Sequence, residues 1–246
     1  PAEAASLVRA AERSQLTCGV VSQRRLEPQH QAIKTLLDTG RLGQPRLIEA
    51  AIHWYRSDAY YAEKPWRSEA EHGGGSLFNQ GVHNLDLMLW LFGAVDSVQG
   101  KTATLGHTHA VEDTTAALLS FASGTLGVIV TSTALPPGRP AVLRLFTDRG
   151  SCELANDSIV RWDFADVAEP PSAAGVGSAA SDPKAIGIEG HIAQWRDFVQ
   201  AVRERRPPAS TLSRSLPIRC APSSSLHSST PCRATPTRPS LISTGR

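Results

Sequence analysis

Between Gly73 and Gly93 the chain reads GGGSLFNQGVHNLDLMLWLFG, three glycines followed by a helix that is apolar on nearly every side. Leu77, Phe78, Val82, Leu85, Leu87, Met88, Leu89, Leu91 and Phe92 leave no water-facing stripe, so this helix is expected to be buried. Its polar residues are ordered. At about 100° per residue, Asn79, His83, Asp86 and Trp90 fall on one narrow face. A buried polar group without a partner loses on the order of 1–3 kcal/mol. The ridge therefore takes its partners from the protein interior or faces a cleft where a ligand supplies them, and we read it as facing a cleft.

The rest of the composition narrows the class. The chain has 246 residues, 41% of them hydrophobic, enough for a real core. No run approaches the roughly 18–20 apolar residues of a membrane-spanning helix, and no basic-then-apolar signal peptide opens the chain. Neither a membrane partner nor secretion is expected. Five arginines and no acid lie in residues 210–246, which leaves 20 basic against 23 acidic groups in residues 1–209, a net −3. The overall +2 thus comes from the tail, and the body gives no reason to expect nucleic acid. Four cysteines without CxxC spacing argue against a disulfide framework or a zinc site and for a reducing cytoplasm.

Along the chain, Ala2–Ser14 reads as an amphipathic helix and Thr17–Ser22 as a short strand leading to Gln23-Arg24-Arg25. Pro28 opens a second helix that ends at Gly40. This order suggests the last part of a parallel α/β unit whose beginning, a GxGxxG after a strand, is nowhere in the sequence. Pro45–Arg56 looks like a long strand, followed by an aromatic loop, 57–72, and the glycine-led helix. Beyond Gly93, strands are expected near Val95–Leu105, Thr114–Ala122, Thr125–Ser132, Ala141–Thr147, Ser151–Leu154 and Ile159–Asp163. Consecutive hairpins imply a largely antiparallel open sheet, joined by Pro45–Arg56 at one side and covered by helices on one face. Ala168–Asp182 reads as a flexible loop and Ile188–Arg205 as a final amphipathic helix. Beyond Ala209 the Ser/Thr/Pro/Arg-rich tail reads as disordered.

His83 is the candidate proton-transfer group, since an imidazole titrating near neutrality can take a hydroxyl proton as a hydride leaves the same carbon. The alternative is a core histidine satisfied by Asp86 or by backbone. Asn79 can hydrogen-bond a hydroxyl but is neither acid nor base. Gly73-Gly74-Gly75 lacks phosphate-loop spacing, so a tight turn is favoured over a phosphate cradle. Tyr60, Tyr61, Trp66 and Arg67 either line a sugar site or form the lid of a hydrophobic core. His107 and His109 have ligand chemistry but no third partner at clear spacing, so no metal is expected.

These residues resemble the glucose–fructose oxidoreductase / inositol dehydrogenase / MocA (Gfo/Idh/MocA) family. The matching segments are GVVSQRRLEPQHQAIKTLLDTGRLGQP, WYRSDAYY with PWRS, GGGSLFNQGVHNLDLMLWLFG, VEDTTAALLSFASGTLG and GHIAQWRDFVQAV, in family order over most of residues 1–209. The resemblance implies a nicotinamide-binding Rossmann domain followed by an open-sheet α/β domain often used for oligomerisation. It implies an NAD- or NADP-dependent dehydrogenase acting on a sugar or cyclitol hydroxyl. His83 falls at the family's catalytic histidine, and Asn79 falls where many members have aspartate. Tyr61, Arg67 and Asp86 are expected to help hold substrate, and Arg25 to approach the cofactor. Glu63-Lys64-Pro65 spells a family motif in the wrong place, whereas Pro1-Ala2-Glu3-Ala4 is similar to the residues just after the genuine motif. The expected division is a Rossmann remnant over 1–42, a substrate and oligomerisation domain over 43–209 and a non-native tail over 210–246, with the chain inactive alone. A purely structural assembly module and an NAD-dependent glycosidase of the same family are the rival readings.

Overall fold

The computed structural model describes residues 2–14, 16–172 and 188–211. Helix α1 (Ala2–Ser14) is followed by a 3₁₀ turn (Gln23–Leu26), α2 (Pro28–Asp38), β1 (Pro45–His53) and α3 (Asp58–Glu63). A π-turn (Leu77–Gly81) then runs into α4 (Val82–Phe92). Strands β2 (Val95–Ala103), β3 (Thr114–Phe121), β4 (Leu126–Ser132), β5 (Val142–Thr147), β6 (Gly150–Ala155) and β7 (Ser158–Phe164) complete one seven-stranded sheet, and α5 (Glu189–Glu204) follows. The strand order is β2-β3-β4-β1-β5-β6-β7.

The sheet is mostly antiparallel, with one parallel pair, β1 with β4, in which Leu47 lies opposite Leu126 and His53 opposite Ser132. β1 stands at the centre rather than at one side, correcting the sequence expectation. Its residues Ile48, Ala50 and Ile52 are almost fully buried, and a central place pairs the backbone of so apolar a strand on both edges. The segment expected to be a strand before residue 22 shows one bridge only, Gly19 with Thr211, because its described neighbour supplies no longer ladder. That bridge, and the bond from the Val20 amide to the Ser210 carbonyl, put Ser210 and Thr211 inside the fold instead of in a disordered tail. Residues 212–246 and 173–187, and with them most of the loop expected over 168–182, lie outside the described residues.

One face of the sheet carries the core. Ile48 and Ile52 of β1, Ile129 of β4 and Leu145 of β5 share a single apolar cluster with Leu87, Met88 and Leu91 of α4 and Ile33 of α2. The opposite face is open: Leu118 and Leu126 are each more than half exposed, beside an ion-paired ladder in which Arg144 joins Glu49 and Glu153. The helix is less enclosed than its composition predicts, since Phe78 is 70% and Val82 38% exposed. The π-turn explains the departure. One extra residue per turn rotates Phe78 off the sheet-facing side while Gly81 is drawn onto β4.

Gly81 is there because a side chain does not fit. A Cβ on it would stand 2.5 Å from the Thr131 methyl and 3.2 Å from Leu77, and Thr131 is fully buried. Alanine normally favours a helix over glycine by about 1 kcal/mol, whereas overpacking a rigid site costs about 1–3 kcal/mol, so the clash wins. Gly81→Ala is expected to destabilise by roughly 1–2 kcal/mol in urea titration; a gain in stability would mean that β4 yields.

Candidate active site

The glycine run is a capping device. Gly75 has φ +104°, and a Cβ there would lie 2.1 Å from a Glu112 carboxylate oxygen. That carboxylate accepts the Leu77 amide at 2.9 Å and the Ser76 hydroxyl at 3.5 Å, satisfying donors at the start of the π-turn. Glu112 thus fills the anion position that a phosphate cradle would need, and the turn reading describes these glycines.

From this start the π-turn and α4 carry Asn79 and His83, both half-buried. The Asn79 side-chain nitrogen is buried and has no hydrogen-bond partner among the described residues. Burial lowers the His83 pKa to about 4, and the Arg24 guanidinium acts in the same direction against the opposing carboxylates of Asp157 and Asp86. Near pH 7 the ring is therefore neutral and holds a lone pair that can accept a proton.

The charges around His83 are tied to one another. Asp86 is bound by Arg25 through Nε at 2.8 Å and Nη2 at 2.5 Å, and by the Ser22 hydroxyl at 3.3 Å. Arg24 donates to the Asn84 side-chain oxygen at 2.9 Å and lies 3.4 Å from Asp157. Asp157 arrives from the β6–β7 turn, where it and Asn156 both adopt positive φ. His30, 1% exposed, donates from Nδ1 to the Arg24 carbonyl at 2.7 Å, and burial lowers its pKa as well. The structure thus gathers His83, Asp86 and Arg25 into one cluster. Asp86 is expected from the sequence to hold substrate, yet its carboxylate is occupied by Arg25, and Arg25, 3% exposed, has its Nε and Nη2 committed in return.

The other two expected residues, Tyr61 and Arg67, sit in a second cluster. Tyr61 is 6% exposed, shares a hydrogen bond with Thr133 at 2.7 Å and packs on the stacked rings of His107 and His109. Burial raises its pKa. The structure places Tyr61 in the packing, and its neighbour Tyr60 on the outer side. The Arg67 guanidinium lies 3.8 Å from the Tyr60 ring centre, and the Tyr60 hydroxyl meets Gln80 at 3.4 Å, one residue from Asn79. His107 has both nitrogens engaged, by Asp113 at 3.0 Å and the Arg56 carbonyl at 2.8 Å. Burial would raise the Asp113 pKa, but the Leu105 and Gly106 amides, His107 and Thr114 outweigh it and hold the carboxyl at about 2. Among the described residues no group of three or more His, Cys, Asp or Glu stands ready to hold a metal ion.

Sequence reasoning missed Arg24, Asn84, Asp157 and Gln80, whereas Tyr60 stood among its candidate sugar-site aromatics. Only the pairing of Asn84 with His83 on one helix offered a local signal; Asp157 lies 65 residues beyond the end of that helix.

Residues 30–153 match the family model described as the GFO/IDH/MocA C-terminal domain. The chain belongs to the Gfo/Idh/MocA family. This family member is 26% identical over 215 residues to the rhizopine catabolism protein MocA of Rhizobium meliloti, covering 86% of the chain and 59% of MocA. Its fold matches the WlbA dehydrogenase of Bordetella pertussis, solved with NADH and UDP-GlcNAcA, at a TM-score of 0.73 and 25% identity, over 86% of the chain and 61% of WlbA. The WlbA dehydrogenase from Chromobacterium violaceum, solved with the same two ligands, matches at 0.72 and 27% over 86% and 60%. The chain therefore spans about three-fifths of the length of these oxidoreductase relatives.

His83 and His30 both bind protons less readily in the fold than in the unfolded chain, where the histidine value is 6.5. Between about pH 4 and 6.5 the unfolded chain binds more protons. The stability owed to these neutral rings is full above pH 6.5 and is lost as pH falls toward 4. The urea midpoint is expected to be lower at about pH 5 than at about pH 7.5, with a smaller difference in His83→Gln. If that variant keeps the full difference, His83 is not held neutral.

Proposed function

We propose that this chain is the substrate-side part of an NAD(P)-dependent dehydrogenase that acts on a sugar or cyclitol hydroxyl. The observation that carries the reading is a neutral, half-buried His83 one helical turn from an Asn79 whose side-chain nitrogen has no protein acceptor among the described residues. A free lone pair and a free N–H close together suit a carbinol: His83 accepts the hydroxyl proton while Asn79 donates to an oxygen of the same substrate. Asn79 cannot carry the proton onward, so the transfer rests on His83. The NADH complexes of the WlbA relatives support a nicotinamide as hydride partner, and their ligand, UDP-GlcNAcA, supports a sugar as substrate.

The residues fit only the reacting end of such a cofactor. The orphan Asn79 donor and His83 suit the nicotinamide side, while no glycine-rich strand–turn–helix for the pyrophosphate occurs in the sequence. When bound, the nicotinamide supplies the hydride acceptor or donor. The Arg25–Asp86 pair holds the segment after residue 22 against α4, and Arg25 is read as orienting that wall rather than reaching the cofactor itself. Residues 1–42 correspond in this reading to the end of a dinucleotide-binding domain, and 43–209 to the substrate domain. Cys18 and Cys152 are free thiols, as a reducing cytoplasm would keep them. No described helix is long and apolar enough to cross a membrane.

Two measurements test this. Calorimetric titration of NADH into this chain is expected to show no micromolar binding, and micromolar binding would overturn the division at residue 42. Joined to a dinucleotide-binding half from a MocA or WlbA relative, the chain is expected to oxidise sugars or cyclitols, with kcat falling about 10²–10⁴-fold in His83→Gln. Unchanged kcat would favour an assembly role, and cleavage of glycosides in place of oxidation would favour the glycosidase rival.

The open sheet face also supports self-association. Leu118 and Leu126, exposed on adjacent paired strands, are expected to be covered by a second copy, and Leu118→Glu to shift sedimentation toward monomer.

A further inference from the structure

Arg67 is half-used. Its Nη1 donates to the Tyr60 carbonyl at 2.5 Å and to Glu63 at 3.2 Å. Its Nε and Nη2 have no partner among the described residues, although the side chain is only 14% exposed. The guanidinium stacks on the Tyr60 ring, 3.8 Å from its centre, with the Trp66 ring centre 6.0 Å away. Tyr60 is itself held by Gln80 and by contact with the buried Arg56, whose guanidinium lies 5.4 Å from the same ring. Burial lowers the Arg56 pKa, and the charge of Arg67 adds to the effect. Two cations thus flank one phenol, and the carboxylate that meets Arg67, Glu63, is two-thirds exposed and touches only Nη1.

A guanidinium offers two parallel donors along its Nε–Nη2 edge, the fork that Arg25 uses on Asp86 in this protein. From this we propose that the open edge of Arg67 is a subsite for the carboxylate of a sugar acid, with Tyr60 as the adjoining platform and Gln80 linking it to the Asn79–His83 turn. The inference rests on the sugar-dehydrogenase reading and narrows its substrate to carboxylated sugars such as uronic acids. The same fork also pairs bidentately with phosphate, so a phosphorylated sugar is the comparison that separates the two anions.

The test uses this chain and needs no turnover. D-glucuronate, D-glucose and glucose 1-phosphate are titrated separately at matched ionic strength, and the Trp66 indole and Arg67 Nε–H resonances are followed by NMR. Glucuronate is expected to shift both and to bind at least about tenfold more tightly than glucose. Arg67→Lys, which keeps the charge and loses the fork, is expected to bring glucuronate to the level of glucose. Equal affinity of glucose and glucuronate with shifts at Trp66 would overturn the carboxylate subsite and leave the sugar reading standing. Tighter binding of the phosphate, discrimination that survives in a folded Arg67→Lys chain, or shifts confined to other residues would each overturn it. Should the variant not fold, the wild-type comparison of glucuronate with glucose decides alone. Failure of the dehydrogenase reading would show separately, in unaffected oxidation by His83→Gln.

Discussion

The bidentate pair between Arg25 and Asp86 joins two parts of the chain that are sixty residues apart in sequence and fixes the ground on which the site stands. α4 is held to the sheet by Leu87, Met88 and Leu91 on one side, and hydrophobic packing alone would let the segment before α2 settle on it in several ways. A buried guanidinium settles in one. Removing either partner would leave an unpaired charge in a poorly hydrated place, a loss of about 3–5 kcal/mol.

His83 is kept neutral by this arrangement more than by any single neighbour. Burial penalises the imidazolium, and Arg24 adds repulsion. Asp157 and Asp86 oppose it, but each is already engaged by an arginine. A carboxylate free to pair with His83 would have raised its affinity for protons and removed the lone pair. The arginines thus occupy the carboxylates that could otherwise pair with His83. The second cluster, around Tyr60 and Arg67, is built on aromatic stacking and faces the same π-turn through Gln80. The proposed acid–base group and the proposed anchoring groups thus belong to two separate clusters, the second joined to the π-turn through Gln80.

The π-turn is also where reading by periodicity meets its limit. A period of 3.6 places Asn79, His83, Asp86 and Trp90 on one stripe, and the structure leaves all four half-buried. The π-turn breaks the period at Leu77–Gly81, because Gly81 must touch Thr131 and Glu112 must cap the Leu77 amide. Phe78 and Val82 are consequently exposed although the helix composition predicts burial. Tyr61 and Tyr60 differ by one position in sequence and are opposite in role, since only the first finds Thr133 and the two histidine rings behind it. No local pattern distinguishes them.

By itself the sequence determined the element order, most strand boundaries to within a residue or two, the mostly antiparallel open sheet and the family, because these follow from hydrophobic period, turn chemistry and motif order along the chain. Only the tertiary structure decided that β1 is central, that Asp86 belongs to Arg25, that Asp157 comes from a distant hairpin to stand beside Arg24, and that Arg67 keeps one edge of its guanidinium open. Each of these depends on which groups meet across space. Buried charges and hydrogen-bonding groups are satisfied by whatever partner the packing brings, and packing has no period in sequence.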